Sequence, residues 1–284
     1  MQILAAPRQQ GFTMVEVIIA MVITGIIAGM LAVFIARPVT GYIDSVRRAG
    51  LTDVADLALK RMALDIRTAV PNSVRVDATG YFIEYIPSRT GGRYCSSSEA
   101  SGSCTPLALA TNGASFSILS PAIEVVSGDY VVIFNTGQTG LDAYASSNNR
   151  CKVTSASAGA SVTSITIDST TACSFAYDSP GRRFQVVPNA GPVTFACENL
   201  GANGTLKRYT DYDGAQSSAN FKTTQPTAPA SLGTGYLLAS NVSACRFSYS
   251  SIAARNGLLI LSLTISRDGE AVTLHHEIHV DNMP

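Results

Sequence analysis

A single carboxylate, Glu16, stands directly before Val17 to Ala36, twenty residues without a charge. In lipid a charged side chain costs roughly 2.5 to 3.5 kcal/mol at the centre of a spanning helix, so this carboxylate calls for a cationic partner. No basic residue lies one helical turn away. Cutting the chain after Gly11 supplies one, because the new amine on Phe12 has a reference pKa of about 8 and carries a positive charge. Within one helix that amine lies a turn back from Glu16. Between neighbouring subunits the same attraction sets their axial register.

Other residues with chemical potential are fewer. His275, His276 and His279 surround Glu277, but His276-Glu277-Ile278-His279 is one residue short of a helical zinc motif and lies in a strand-like run. In a strand His275, Glu277 and His279 share a face, and an exposed or hydrogen-bonded face is the expectation there, with no metal. Asp211-Tyr212-Asp213-Gly214 resembles part of a calcium loop without its closing Glu and reads as a solvated turn. No Gly-x-Ser-x-Gly elbow, no Cys and His pairing and no phosphate-cradling glycine loop is found, so neither an enzyme nor a cofactor is expected. Asn203-Gly204-Thr205 and Asn241-Val242-Ser243 match glycosylation acceptors and are assigned no role.

Six cysteines, Cys95, Cys104, Cys151, Cys173, Cys197 and Cys245, all follow the apolar run and form no Cys-x-x-Cys pair. Disulfides in an oxidising compartment are therefore expected rather than zinc. Among fifteen possible connectivities the expected one joins nearest neighbours: Cys95 with Cys104, Cys151 with Cys173, Cys197 with Cys245. Chain entropy then gives about 2.7, 3.4 and 4 kcal/mol for the three closed loops.

The elements that carry these residues follow from periodicity. Val17 to Ala36 has the length of a bilayer-spanning helix, about 30 Å at 1.5 Å per residue. Gly25 and Gly29 give it a small-xxx-small spacing for close helix packing. Arg37-Pro38 and Gly41 predict a kink or local break. Helical pattern then resumes, with Leu51, Ala55, Ala58, Leu59, Met62 and Ile66 as an apolar stripe, until Pro71. From Phe12 to Thr68 such a helix is about 85 Å long.

After Pro71 the period becomes two. A hairpin is expected from Val74 to Asp77 and Tyr81 to Ile86 around Thr79-Gly80. Further strands are expected at Ser115–Leu119, Tyr130–Phe134, Val162–Ile167, Phe184–Val187, Val193–Cys197, Leu206–Tyr209, Val242–Tyr249, Leu258–Ile265 and Val272–Val280. Stretches rich in Ser, Thr, Gly, Ala and Asn, including 96–103, 135–149, 155–160 and 214–233, are expected as loops, mobile near Pro226 and Pro229. No internal repeat appears, and the β region is compatible with one core. The expected fold class is α+β: a long N-terminal helix, transmembrane then amphipathic, packed on a β-rich domain of mostly antiparallel sheets.

Gly11-Phe12-Thr13-Met14-Val15-Glu16 followed by this helix resembles the type IV prepilin signature. The resemblance implies Gly11 as the cleavage point, Phe12 as the methylated new terminus and Glu16 as the assembly glutamate. It also implies residues 1–11 as leader, 12–36 as the transmembrane half of the helix, 37–71 as its amphipathic half and 72–284 as a periplasmic or extracellular domain. Ala36-Arg37-Pro38-Val39 with Gly41-Tyr42, then Arg47-Arg48-Ala49, Leu51-Thr52-Asp53 with Ala55-Asp56, Asp65-Ile66-Arg67, Pro71-Asn72-Ser73-Val74-Arg75-Val76 and the C-terminal Leu274-His275-His276-Glu277-Ile278-His279-Val280 look like the MshO family. These are minor pilins of the mannose-sensitive haemagglutinin (MSHA) pilus. Size and the strand-rich second half are also similar to J-type pseudopilins of type II secretion; retention of Glu16 separates the chain from K-type tip subunits. The implied partners are prepilin peptidase, other minor and major pilins and an inner-membrane assembly platform. A pilus-borne adhesin or ligand-binding module using the Ser-rich loops or Tyr-rich strands is the alternative, and a membrane-anchored hydrolase dependent on His276 or His279 a third class.

Composition agrees. With 14% charged residues and a net charge of zero, the chain has no electrostatic footprint for nucleic acid. An ordinary secretory signal is not matched, since the apolar run is too long and no Ala-x-Ala site follows. Arg8 before the run against Arg37, Arg47 and Arg48 after it runs counter to the positive-inside rule. Placement in a bacterial inner membrane with the C-terminal domain in the periplasm, and on the cell surface within a pilus, rests on the cysteines and the resemblance.

Overall fold

The computed structural model describes residues 11–97, 104–119, 121–145, 148–154, 161–169, 173–212, 221–224, 232–253 and 256–284. The leader before Gly11, residues 155–160, most of 214–233 and Asp213-Gly214 of the acidic turn lie outside them. The chain divides into two compact units at Gly50 and Leu51.

One helix, α1 (Met14–Ile66), crosses that division. It continues through Arg37-Pro38 and Gly41 without the local break that is one of the two expected alternatives, a kink being the other. Proline removes one i→i−4 bond, and the unbroken turns on both sides outweigh that single loss. In the first unit every described apolar side chain of the helix is exposed. In the second, the predicted stripe Leu51, Ala55, Ala58, Leu59, Met62 and Ile66 is buried, joined by Ala63. The three and four spacing brings these residues onto one face because the helix turns every 3.6 residues.

That face packs on two antiparallel sheets. The first has five strands, in order β1 (Arg75–Val76), β2 (Phe82–Tyr85), β11 (Val193–Glu198), β12 (Thr205–Thr210) and β13 (Gly235–Ser240). The second has three long strands, β14 (Val242–Ala253), β15 (Asn256–Arg267) and β16 (Glu270–Asp281). Ile83, Tyr85, Phe195, Phe247, Leu259, Leu261 and Leu263 meet the helix in one core. Arg208 Nε donates to Asp65 Oδ2 at 2.9 Å and pins the helix end to β12.

A six-stranded antiparallel sheet runs β7 (Arg150–Lys152), β6 (Tyr130–Val132), β10 (Arg183–Val187), β3 (Thr90–Tyr94), β4 (Ser115–Leu119) and β9 (Ser164–Thr166). A small pair, β5 (Ile123–Glu124) with β8 (Ser161–Val162), completes the set. This sheet has its own core of Phe116, Phe184, Val131, Ile165 and Phe175. The β region, whose size is compatible with one core, holds two large and two small hydrophobic clusters among the described residues. Separate sheets each turn one apolar face inward, and their inner faces do not meet in one layer. The architecture is α+β, with antiparallel pairing in every sheet.

All the expected strands are present, the hairpin in the register Arg75↔Glu84 and Val76↔Ile83. Val162 to Ile167 is divided between β8 and β9, and the three C-terminal strands are longer than expected. Four strands were not legible: β3, β5, β7 and β13. The Gly91-Gly92 pair weakens the strand signal of Thr90–Tyr94, yet a Cβ on Gly91 would lie 2.7 Å from the Phe184 carbonyl oxygen. The close approach of β10 selects glycine there against its own propensity.

Candidate functional site

The N-terminal segment is built on a helix start that the sequence reading did not single out. Thr13 stands immediately before α1; its Oγ1 accepts from the Glu16 N–H at 3.3 Å and its carbonyl from the Val17 N–H at 3.2 Å. Thr13-x-x-Glu16 has the spacing of a capping box, a signal visible in the sequence. Glu16 thus sits in the first turn, where the helix dipole favours negative charge. Gly11 and Phe12 precede the helix and are exposed, as is Glu16, whose carboxylate has no partner among the described residues.

Below Glu16 the helix is dry of hydrogen-bonding demand. Met14–Phe34 is 21 residues long, wholly exposed, and apolar enough to cross a membrane. Thr24 Oγ1 donates to the Ala20 carbonyl at 2.5 Å, satisfying its hydroxyl within the helix. Ala20, Thr24, Gly25 and Ala28 floor a shallow furrow of about 580 Å³ that begins at Phe12 and Glu16. Gly25 and Gly29 each have nothing within 4 Å of where a Cβ would stand, so their surfaces are open for another helix.

The cysteines pair as Cys95–Cys104, Cys151–Cys173 and Cys197–Cys245, the nearest-neighbour set. The third joins β11 to β14, hence the two sheets beneath the helix. The first two lie within the six-stranded region.

The histidines do not converge. His275, Glu277 and His279 face solvent on β16, while His276 is on the other face opposite Leu261. No group of three or more His, Cys, Asp or Glu side chains among the described residues is placed to hold a metal. Asp211 has a positive φ of 54° at the end of β12, a turn geometry.

A dense polar arrangement lies instead around the first hairpin. Glu84 is buried, accepts from Arg75 Nε at 2.6 Å and from the Tyr212 hydroxyl at 3.0 Å. Tyr212 in turn shares a 2.6 Å hydrogen bond with Thr194. The Arg75 guanidinium also stands 3.6 Å from the centre of the Tyr144 ring and donates to the carbonyls of Lys222 and Thr223 at 2.7 and 3.0 Å. Burial raises the Glu84 carboxyl above its ordinary range, against the pull of Arg75, and raises the Tyr144 and Tyr212 hydroxyls well above theirs. Every functional group is satisfied by another, so this is a clamp that holds 221–224 and the hairpin together. Its core pair was legible: residues 75 and 84 are cross-strand partners in any hairpin centred on Thr79-Gly80.

The family model described as the prokaryotic N-terminal methylation motif matches residues 6–32. No curated protein and no solved structure matches the chain. The chain thus carries a type IV prepilin-like N terminus, and such a motif implies processing by prepilin peptidase and assembly with pilins.

Proposed function

We propose that this chain is a minor pilin, a structural subunit that helps initiate or assemble a type IV pilus of the MSHA kind. The observation that carries the reading is the conjunction at the N terminus: Gly11-Phe12 outside the helix, Glu16 without a partner in its first turn, and a fully exposed apolar segment behind it. Prepilin peptidase cuts after Gly11 and methylates Phe12. The new ammonium then stands at the positive end of its own helix dipole, where it is disfavoured, while Glu16 of a neighbouring subunit offers it a carboxylate in lipid. That pairing fixes the axial register of adjacent helices, whose close approach uses Gly25 and Gly29. The three disulfides support a periplasmic location for residues 72–284, with the helix anchored in the inner membrane before assembly. The β-rich region makes contacts with other minor and major pilins.

Expressing Gly11→Ala and Glu16→Ala separately in the native host tests this. The glycine variant is expected to stay full-length. The glutamate variant is expected to be processed but poorly incorporated into filaments. Normal piliation in both strains, or mass spectra in which native material begins only at Met1, sinks the reading. Loss of pili rather than of protein secretion in a deletion strain separates an MSHA-type role from a J-type pseudopilin.

A further inference from the structure

We infer that β16 pairs with β16 of a second copy of this chain, antiparallel and centred on His276, so that the three-stranded sheets of two copies join into one. The inference concerns the β-rich unit alone and stands or falls separately from the reading of the N-terminal segment.

The three-stranded sheet ends at β16, which at 12 residues is about twice the usual strand length. It pairs with β15 from Glu270 to Asp281 without a register shift, and every second residue from Ala271 to Asp281 is exposed. Among the described residues no backbone hydrogen bond reaches its outer edge. Such an edge is a row of unpaired N–H and C=O groups, ordinarily blunted by proline, lysine, a bulge or a covering segment. Ala271 to Asp281 contains no proline, lysine or glycine. The opposite edge shows the contrast. There β14 has register shifts near Val242 and near Ser251, and its Phe247 N–H donates to the Gly80 carbonyl of the first hairpin at 2.8 Å. One edge of the sheet is broken and capped; the other is left straight.

Self-complementarity selects both the occupant and the register. Directly opposed side chains share a face, so two sheets that join with their apolar faces on the same side must be centred on a residue rather than between two. Centred on His276, pairing runs from Ala271 to Asp281 and sets His275 opposite the partner's Glu277 at both ends of the axis, a ring N–H against a carboxylate. On the inner face Leu274 meets the partner's Ile278, and Val272 meets the partner's Val280. That contact completes the burial of a row left uneven in the single copy: Ile278 and Val280 are buried, whereas Leu274 and Val272 on the same face are half-buried. The two His276 rings meet on the axis, where neutral imidazoles pair as donor and acceptor. Centring on Glu277 instead opposes two carboxylates, and centring on His275 opposes Leu274 to the partner's His276 and Glu270 to the partner's Val280. A two-fold contact closes with two copies and does not propagate, so it belongs to the subunit outside a filament.

The test uses the purified full-length chain in detergent micelles without reductant. Sedimentation is expected to show a concentration-dependent dimer. His276→Cys, on the axis, is expected to give a disulfide-linked dimer on mild oxidation. Ala271→Cys, about 34 Å from its own counterpart at 3.4 Å per residue, is expected to give none. His275→Glu sets carboxylates opposite each other at both ends of the contact and should weaken dimerisation at least about tenfold. Adding Glu277→His to that variant restores both histidine-carboxylate pairs and should recover the parent affinity. Positions 275 and 277 are exposed, so the swap leaves the buried face untouched, and circular dichroism checks that all variants fold. The inference is overturned by a monomer at every concentration, by cross-linking of Ala271→Cys as fast as of His276→Cys, by a His275→Glu variant that dimerises like the parent, or by a double variant as weak as the single one. A dimer held by the apolar helix alone shows neither the cross-link at 276 nor the rescue, and also overturns it.

Discussion

Replacing Cys197 and Cys245 together by alanine should destabilise this chain more than removing either other disulfide. These two residues, 48 apart in sequence, tie β11 of the five-stranded sheet to β14 of the three-stranded sheet within the core under α1. In the chain-entropy account the cost of losing a cross-link grows with the loop it closes, giving about 4 kcal/mol here. The same account gives about 3.4 kcal/mol for Cys151–Cys173, with a separation of 22, and about 2.7 kcal/mol for Cys95–Cys104, with a separation of 9. The largest and smallest thus differ by about 1.3 kcal/mol, close to a tenfold difference in folding equilibrium. For a unit of this size about 4 kcal/mol corresponds to a fall in Tm of roughly 8 to 16 °C. The assay is urea unfolding of the full chain and the three paired Cys→Ala variants in detergent without reductant, followed by tyrosine fluorescence, since the chain has 11 tyrosines and no tryptophan. If the Cys197/Cys245 variant loses no more stability than the Cys95/Cys104 variant, loop closure is not what these bonds contribute and the reasoning fails.

Two further perturbations probe the packing. Met62 is fully buried against both sheets, so Met62→Ala should cost about 2 to 5 kcal/mol in the same unfolding assay, while Leu57→Ala, 72% exposed on the same helix, should fall within about 0.5 kcal/mol of the parent. Equal effects would mean that the helix does not present this face. Burial raises the Glu84 carboxyl, so the folded chain holds that proton more tightly than the unfolded chain, whose value is near 4.5. The stability linked to it is complete below pH 4.5 and is lost as pH rises through the folded value. Glu84→Gln lacks this slope; its stability relative to the parent should therefore improve as pH is raised from 4.5 towards 8, whatever constant penalty Arg75 imposes. Urea midpoints across that range decide it, and a relative stability that declines with pH contradicts the burial argument.

The sequence by itself determined what depends on neighbours along the chain. Gly11 to Glu16 and the uncharged run behind them are contiguous, so their chemistry and length are readable without a fold. The stripe from Leu51 to Ile66 follows from the pitch of one helix, and the Arg75–Glu84 pair from the geometry of one turn. Thr13, three residues before Glu16, is likewise a local signal.

Tertiary structure decided what depends on which strand lies beside which. Gly91-Gly92 becomes a strand only because β10 approaches too closely for a side chain. Arg93 and Arg183 become neighbours only through the register of β3 with β10, and the β region forms separate cores because its sheets turn their apolar faces to different interiors. Periodicity records which face of an element is apolar; it carries no record of the partner that covers it.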